Sequence, residues 1–210
     1  MKVLLVNGSP HAQGCTYTAL EEVGKTLNIE GIETEIFQIG IKPLSGCIDC
    51  QKCQELGRCV FADRVNEFLD IAKDADGFVF GSPVHYAAAG GAITSFLDRV
   101  FFADFLSGDQ RFYLKPAAAI VSARRAGTTA TFDQLNKYFT ISEMPVISSR
   151  YWNMVHGSTP DEVKKDLEGL QTMRILGRNM AWFLKCKEAG IKAGVAFPER
   201  EEIILTNFIR

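Results

Sequence analysis

The sequence predicts an α/β protein in which helices cover both faces of a parallel sheet, and three observations carry the prediction. Short apolar runs at 2–7, 77–81 and 117–121 lack the apolar–polar alternation of a half-exposed strand, so they read as strands buried on both faces. Helical apolar stripes follow them where an antiparallel fold would place a second strand. The segments leaving the strands are rich in glycine, hydroxyl and aromatic residues, unlike the two-residue turns of hairpins.

Taken in order, Lys2-Val3-Leu4-Leu5-Val6-Asn7 is the first strand. The segment Gly8 to Thr18 breaks it, and Ala19, Leu20, Val23 and Leu27 begin a helix that stops near Glu30-Gly31. Thr34 to Ile39 alternates and reads as a strand nearer the sheet edge. Lys42 to Asp63 carries Pro43, Gly46, Gly57 and four cysteines with little periodicity, an irregular segment long enough to need a functional or metal-based reason. Asp63 can cap a helix whose apolar face is Val65, Phe68, Leu69 and Ala72.

The third strand, Gly77 to Gly81, ends in Ser82-Pro83-Val84-His85-Tyr86. Ile93, Phe96, Leu97, Val100 and Phe101 then recur at helical spacing. The fourth strand, Ala117 to Val121, exits through Ser122 to Thr129, and a helix near 131–139 leads to a fifth strand at 145–148. Thr159-Pro160-Asp161-Glu162 is a capping box with proline at the first helical position, opening a long helix toward Lys187. Cys186 on that helix is expected in the core, and the charged stretch from Pro198 is expected to be loosely held. The organisation expected is one domain over 1–190, with a cysteine-rich insertion at 43–62 and a tail at 191–210.

A formal charge of −2 over 210 residues argues against nucleic acid as a partner. No apolar run approaches the ~20 residues of a membrane helix, so no membrane partner is expected. Met1 leads straight into the first strand, which predicts no signal peptide and a cytoplasmic chain with reduced thiols. In that compartment six cysteines are ligands or free thiols more readily than disulfides.

A strand running through a small, hydroxyl-rich loop into a helix makes an anion site, because unsatisfied amides and the helix dipole both favour negative charge. Ser9, Thr16 and Thr18 add hydroxyl donors. An ordinary strand-to-helix turn capped by Ser9 or Thr16 fits the same residues. The segment is neither a P-loop nor a dinucleotide fingerprint, since both lysine and the required glycines are missing. In parallel α/β sheets ligands bind beyond the carboxyl ends of the strands, where the strand order reverses. The loops Ser9–Thr18, Ser82–Tyr86 and Ser122–Thr128 are therefore expected to build the site. Cys47-x2-Cys50-x2-Cys53-x5-Cys59 offers four thiolates from one segment, which suits a [4Fe–4S] cubane or tetrahedral zinc. The third cysteine at the same short spacing favours iron, and free or oxidised thiols are the remaining alternative.

These residues resemble those of the flavodoxin-like NAD(P)H-dependent FMN reductases, and within them the iron–sulfur flavoproteins. The match rests on Val6-Asn7-Gly8-Ser9-Pro10-His11 with Gly14-Cys15-Thr16-Tyr17-Thr18, on Gly81-Ser82-Pro83-Val84-His85-Tyr86, and on the cysteine segment from Gly46 to Cys59. It covers residues 1 to about 150. It implies a flavodoxin-like three-layer sandwich with a five-stranded parallel sheet in the order 2-1-3-4-5. It also implies FMN as cofactor, with Ser9, Cys15 through its backbone N–H, Thr16, Tyr17 and Thr18 at the phosphate. Pro83, Val84, His85 and Tyr86 would then line the isoalloxazine ring, and Ser122, Arg124 and Gly127 would close its pyrimidine side. An arginine there stabilises negative charge on reduced flavin.

Two positions depart from the commoner pattern: His11 stands where arginine is frequent, and Cys15 where serine or asparagine is. A backbone contact survives either change. The Cys15 thiol, at a helix start, is a candidate for a lowered pKa, with an inert small residue as the alternative. The resemblance further implies a [4Fe–4S] cluster on Cys47, Cys50, Cys53 and Cys59. The expected function is electron transfer between NAD(P)H or a ferredoxin-like donor and a small-molecule or protein acceptor. A metal-free FMN or quinone reductase and a non-catalytic flavin-binding module are the alternatives. The apolar long helix and the aromatic segment 101–105 predict a homodimer or homotetramer.

Overall fold

The structure, a computed structural model, describes residues 1–204 and Thr206. The chain opens with β1 (Lys2–Asn7), α1 (Cys15–Ile29) and β2 (Glu33–Gln38). Then α2 (Cys53–Leu56) and α3 (Arg64–Ala72) lead to β3 (Gly77–His85) and a two-residue strand, β4 (Ala88–Ala89). It continues through α4 (Gly91–Ser107), β5 (Ala117–Ala123), α5 (Thr128–Ile141), β6 (Met154–His156), α6 (Pro160–Val163) and α7 (Leu167–Lys192).

Residues 3–7 of β1 are all buried, and successive side chains face opposite sides of the sheet. Leu4 and Val6 join a core with Phe68, Phe78, Phe80 and Phe96 beneath α3, α4 and α5. Val3 and Leu5 join a second core with Leu20, Val23, Leu176 and Met180 beneath α1 and α7. Helices thus cover both faces, giving three layers. The sheet order is β2-β1-β3-β5-β6, all parallel, with β4 antiparallel on the outer end of β3. The five parallel strands follow the expected order, and β4 is an addition. The order reverses between β1 and β3, which fixes the crevice outside their carboxyl ends.

Four expectations are corrected. The fifth strand is Met154–His156 and not 145–148, where only Val146 bridges Ala117. Residues 148–153 leave the sheet edge between those two points, and the Asn153 side chain donates to the Ala119 carbonyl (3.0 Å) where the strand is interrupted. The long helix is broken: Thr159 caps α6, and Asp166 then caps α7 by accepting from the Gly169 N–H (2.9 Å). Residues 82–85 are strand, because β3 goes on pairing with Val121 and Ser122 before turning back into β4 at Tyr86. Cys186 is exposed, two positions past the buried Leu184 and off the apolar stripe of α7. The expected tail lies partly outside the described residues; within them Arg200 reaches back to Glu143 and over the Tyr113 ring.

Candidate functional site

Three contacts tie together the strand exits. The Gly8 N–H donates to the Gly81 carbonyl at 2.8 Å, joining the tips of β1 and β3. The Thr16 and Ser122 hydroxyls, both buried, lie 2.8 Å apart and join α1 to β5. Gly127 has φ +90°, and a Cβ there would stand 2.9 Å from Val84 Cγ1, so the β5 exit lies against the end of β3. The structure therefore brings Ser9, Thr16, Val84, Ser122 and Gly127 to one place.

The loop after β1 is held from behind. The fully buried Asn7 donates its amide to Gln38 Oε1 (2.6 Å) and to the His11 and Ala12 carbonyls (3.3 and 3.4 Å), and accepts from the Ser9 N–H (3.1 Å). Gln38 donates to the Ser9 carbonyl at 2.7 Å. Loop carbonyls are thus engaged by side chains of β1 and β2. At the other end Gly14 is the N-cap of α1 and no side chain caps the helix. The helix start at Cys15, Thr16 and Tyr17 keeps its positive end for a ligand, as an anion site requires. The Thr18 hydroxyl donates to the Gly14 carbonyl (3.1 Å), and the Ser9 hydroxyl accepts from the His11 N–H (3.1 Å).

The Cys15 thiol donates to the Gly157 carbonyl at 3.6 Å, and burial pushes its pKa up against the lowering effect of a backbone hydrogen bond. That direction is opposite to the lowered pKa considered for this thiol. His85, Tyr86 and Arg124 are exposed at the rim. Tyr86 is fully exposed with φ +60°, a strained backbone for a bulky residue at a hairpin tip. Changing Thr16 to valine keeps the shape but leaves the buried Ser122 hydroxyl without its partner. The expected cost is about 1–3 kcal/mol, read as a lower urea midpoint at constant m.

A second constellation lies beside α4. Cys47, Cys50, Cys53 and Cys59 all line one pocket, whose wall also includes Arg99 and Phe102 of α4. Cys53 is buried on α2, Cys59 is half-buried, and Cys47 and Cys50 are exposed. Burial pushes the Cys53 thiol pKa up, and the other three cysteines push it the same way as like charges. Among the described residues no three ligand side chains stand close enough to grip one metal ion. Four cysteine side chains around one pocket are the donor set that a [4Fe–4S] cubane takes, one thiolate per iron, and also the set that tetrahedral zinc takes.

Sequence reasoning assigned no site role to Gln38, or to Asn7, Gly8 and Gly81 beyond their place in the quoted motifs, at the first site; at the second it assigned none to Arg99 and Asn66, and read Asp63 only as a helix cap. A polar Asn7 closing an apolar run, and Arg99 inside an apolar stripe, were the available signals.

The sequence model described as NADPH-dependent FMN reductase matches residues 1–159. The chain is 34% identical over 191 residues to an iron–sulfur flavoprotein of Methanocaldococcus jannaschii, covering 88% of this chain and 98% of that protein. It is 26% identical to an iron–sulfur flavoprotein of Archaeoglobus fulgidus, covering 87% of this chain and 97% of that one. Among solved structures, RosB with a bound intermediate, 8-demethyl-8-formylriboflavin-5′-phosphate, shares the fold with TM-score 0.69 at 16% identity, over 100% of this chain and 94% of that one. No helix of the described residues is long and apolar enough to cross a membrane. With strand tips gathered around an uncapped helix start, and with a family match over most of its length, the chain belongs to the NADPH-dependent FMN reductase family, in its iron–sulfur flavoprotein-like branch, and is a flavin-dependent oxidoreductase.

Proposed function

We propose that this chain passes electrons between FMN at the tips of β1, β3 and β5 and a [4Fe–4S] centre on Cys47, Cys50, Cys53 and Cys59. The observation that carries the reading is α4, which serves both sites. At its start the Gly90 N–H donates to the Ser82 hydroxyl (3.4 Å), and Ile93 packs under Gly8. Farther along, Arg99 and Phe102 line the cysteine pocket. At the helical rise, Ile93 and Arg99 are separated by roughly 9 Å along the axis, so a single helix touches both sites.

When bound, FMN supplies two-electron chemistry and the cluster one-electron chemistry. The start of α1 with Ser9, Cys15, Thr16, Tyr17 and Thr18 receives the phosphate dianion without a lysine, since the helix end already offers compensating charge. Pro83, Val84, His85 and Tyr86 border the ring, and Tyr86 stands open where a donor or acceptor can approach. Ser122 and Gly127 close the pyrimidine side, and Arg124 at the rim steadies negative charge there.

The donor proposed is NAD(P)H or a ferredoxin-like protein, and the acceptor a small molecule or a protein, in the cytoplasm where thiols stay reduced. The assembly proposed is a homodimer or homotetramer, which would cover exposed Phe105, Ile141, Leu167 and Trp182. Anaerobic reconstitution with FMN, ferrous iron and sulfide, then flavin, iron and sulfide analysis with light scattering, tests the reading. The expected product holds about one FMN and about four irons per chain in a particle larger than one chain. FMN uptake without iron would leave a metal-free reductase, and a colourless protein would remove the flavin site.

A further inference from the structure

Arg99 heads the fully buried side chains of the described residues at 1% exposure, midway along α4. A buried guanidinium is costly unless its charge and donors are met. Its two terminal nitrogens donate to both oxygens of Asp63 (2.8 and 2.9 Å), and one also reaches the Ser45 carbonyl (3.3 Å). The group lies over the Phe61 ring, 4.8 Å from its centroid. The fork satisfies Asp63 by itself, yet Nε donates elsewhere, to Cys59 Sγ at 3.2 Å. Cys59 is gripped on its backbone as well: Asn66 Oδ1 accepts its N–H and Asn66 Nδ2 donates to its carbonyl, each at 2.9 Å. This sulfur thus faces the shared cysteine pocket already bonded to a buried cation.

We propose that Arg99 sets the reduction potential of the cysteine-held centre, through its N–H···S bond to Cys59 and its buried charge. The proposal rests on the reading that the four thiolates hold a [4Fe–4S] cluster. Taking up one electron without a proton adds one negative charge, spread over the sulfurs of the centre. A donor N–H and a cation against one of those sulfurs stabilise the reduced form more than the oxidised form, and burial weakens the screening by water. Asp63, on the other side of the guanidinium and partly exposed, opposes this in part. Arg99 is therefore a positioning residue that raises the potential, and Asp63 restrains it.

The test compares reconstituted wild-type protein with Arg99→Lys and Asp63→Asn by potentiometric titration, with dithionite as reductant and electron paramagnetic resonance as readout. Lysine keeps a charge but has no fork to serve Asp63 and Cys59 together. Arg99→Lys should lower the reduced-to-oxidised ratio at fixed potential about tenfold, a downward shift of about 59 mV for one electron. Asp63→Asn keeps a good N-cap for α3 while removing the opposing carboxylate, so its shift should be upward. A general loosening of the pocket would move both variants the same way, and that result overturns the proposal. Unchanged potentials in both variants, with four irons per chain retained, overturn it too while the cluster reading stands. If Arg99→Lys does not fold, the Asp63→Asn shift decides: upward supports, unchanged or downward refutes. If the wild-type protein takes up no iron, both readings fall.

Discussion

Replacing Gly8 with alanine is expected to abolish FMN retention in a protein that still folds but melts several degrees lower. A Cβ at this position would stand 2.7 Å from the Gly81 carbonyl oxygen and 2.8 and 2.9 Å from Ile93 Cβ and Cγ1. Neither neighbour can swing away. One is backbone of β3, bonded to the Gly8 N–H itself, and the other is a buried, β-branched residue in the first turn of α4. The tips of β1 and β3 must therefore part. Forcing an extra carbon into such a contact costs about 1–3 kcal/mol, or roughly 2–4 °C of melting temperature for each kcal/mol in a chain of this size. The larger effect falls on the ligand, because Gly8 is the root of the loop that delivers Ser9 and the start of α1. The FMN dissociation constant should rise at least about hundredfold, which is about 2.7 kcal/mol of binding energy. Flavin fluorescence titration measures it. Gly91→Ala is the internal comparison: its Cβ would meet nothing within 4 Å, so affinity should change by less than about threefold, under 1 kcal/mol. Wild-type affinity in Gly8→Ala would mean that the strand tips do not shape the flavin site.

How much of this was legible in the sequence follows the range of the interactions. The buried strands at β1, β3 and β5 show themselves locally, as unbroken apolar runs, and Asp63 shows itself as the cap of α3 by its place before an apolar stripe. The edge of the sheet does not. Pro145–Ile147 and Met154–His156 have similar local character, and which of them becomes the strand depends on pairing with β5. The end of β3 was hidden for the same reason, since Pro83 and Val84 read as a loop until the partners Ser122 and Ala89 are in place. The break between α6 and α7 turns on Asp166, whose carboxylate serves the Gly169 N–H and also the distant His156 N–H. Arg99 is the sharpest case. Its neighbours Leu97 and Val100 mark a core-facing stripe, yet the carboxylate that makes its burial tolerable is supplied from 36 residues upstream. Helical periodicity identifies a face; only the tertiary partner explains a charge on it.

The second large effect is expected at Cys53, where serine should remove the iron and spare the flavin. Cys53 is 7% exposed at the first position of α2, a short helix closed by the left-handed Gly57, and it packs with the core beneath α4. The substitution keeps that shape and exchanges a thiol for a hydroxyl, which at neutral pH is a far poorer ligand for iron than thiolate. With one corner missing, iron and sulfide should fall below about a tenth of the wild-type content. FMN affinity should stay within about twofold, below 0.5 kcal/mol, because Cys53 makes none of the contacts that join Gly8 to Gly81, Thr16 to Ser122 or Val84 to Gly127. The metal-free protein should lose about 1 kcal/mol for a buried hydroxyl in place of the thiol. The iron-loaded comparison should show a wider gap, since a ligand bound only by the folded state adds its binding energy to stability. Cys186→Ser, at the exposed outer face of α7, should alter neither cofactor. Iron, sulfide and flavin per chain, measured on the same anaerobic samples, separate the outcomes. A full iron complement in Cys53→Ser would remove this residue from the ligand set and leave three cysteines, too few for an all-cysteine cubane. Loss of flavin together with iron would show that the pocket beside α4 and the strand tips fold as one site, joined through the same helix that Ile93 and Arg99 share.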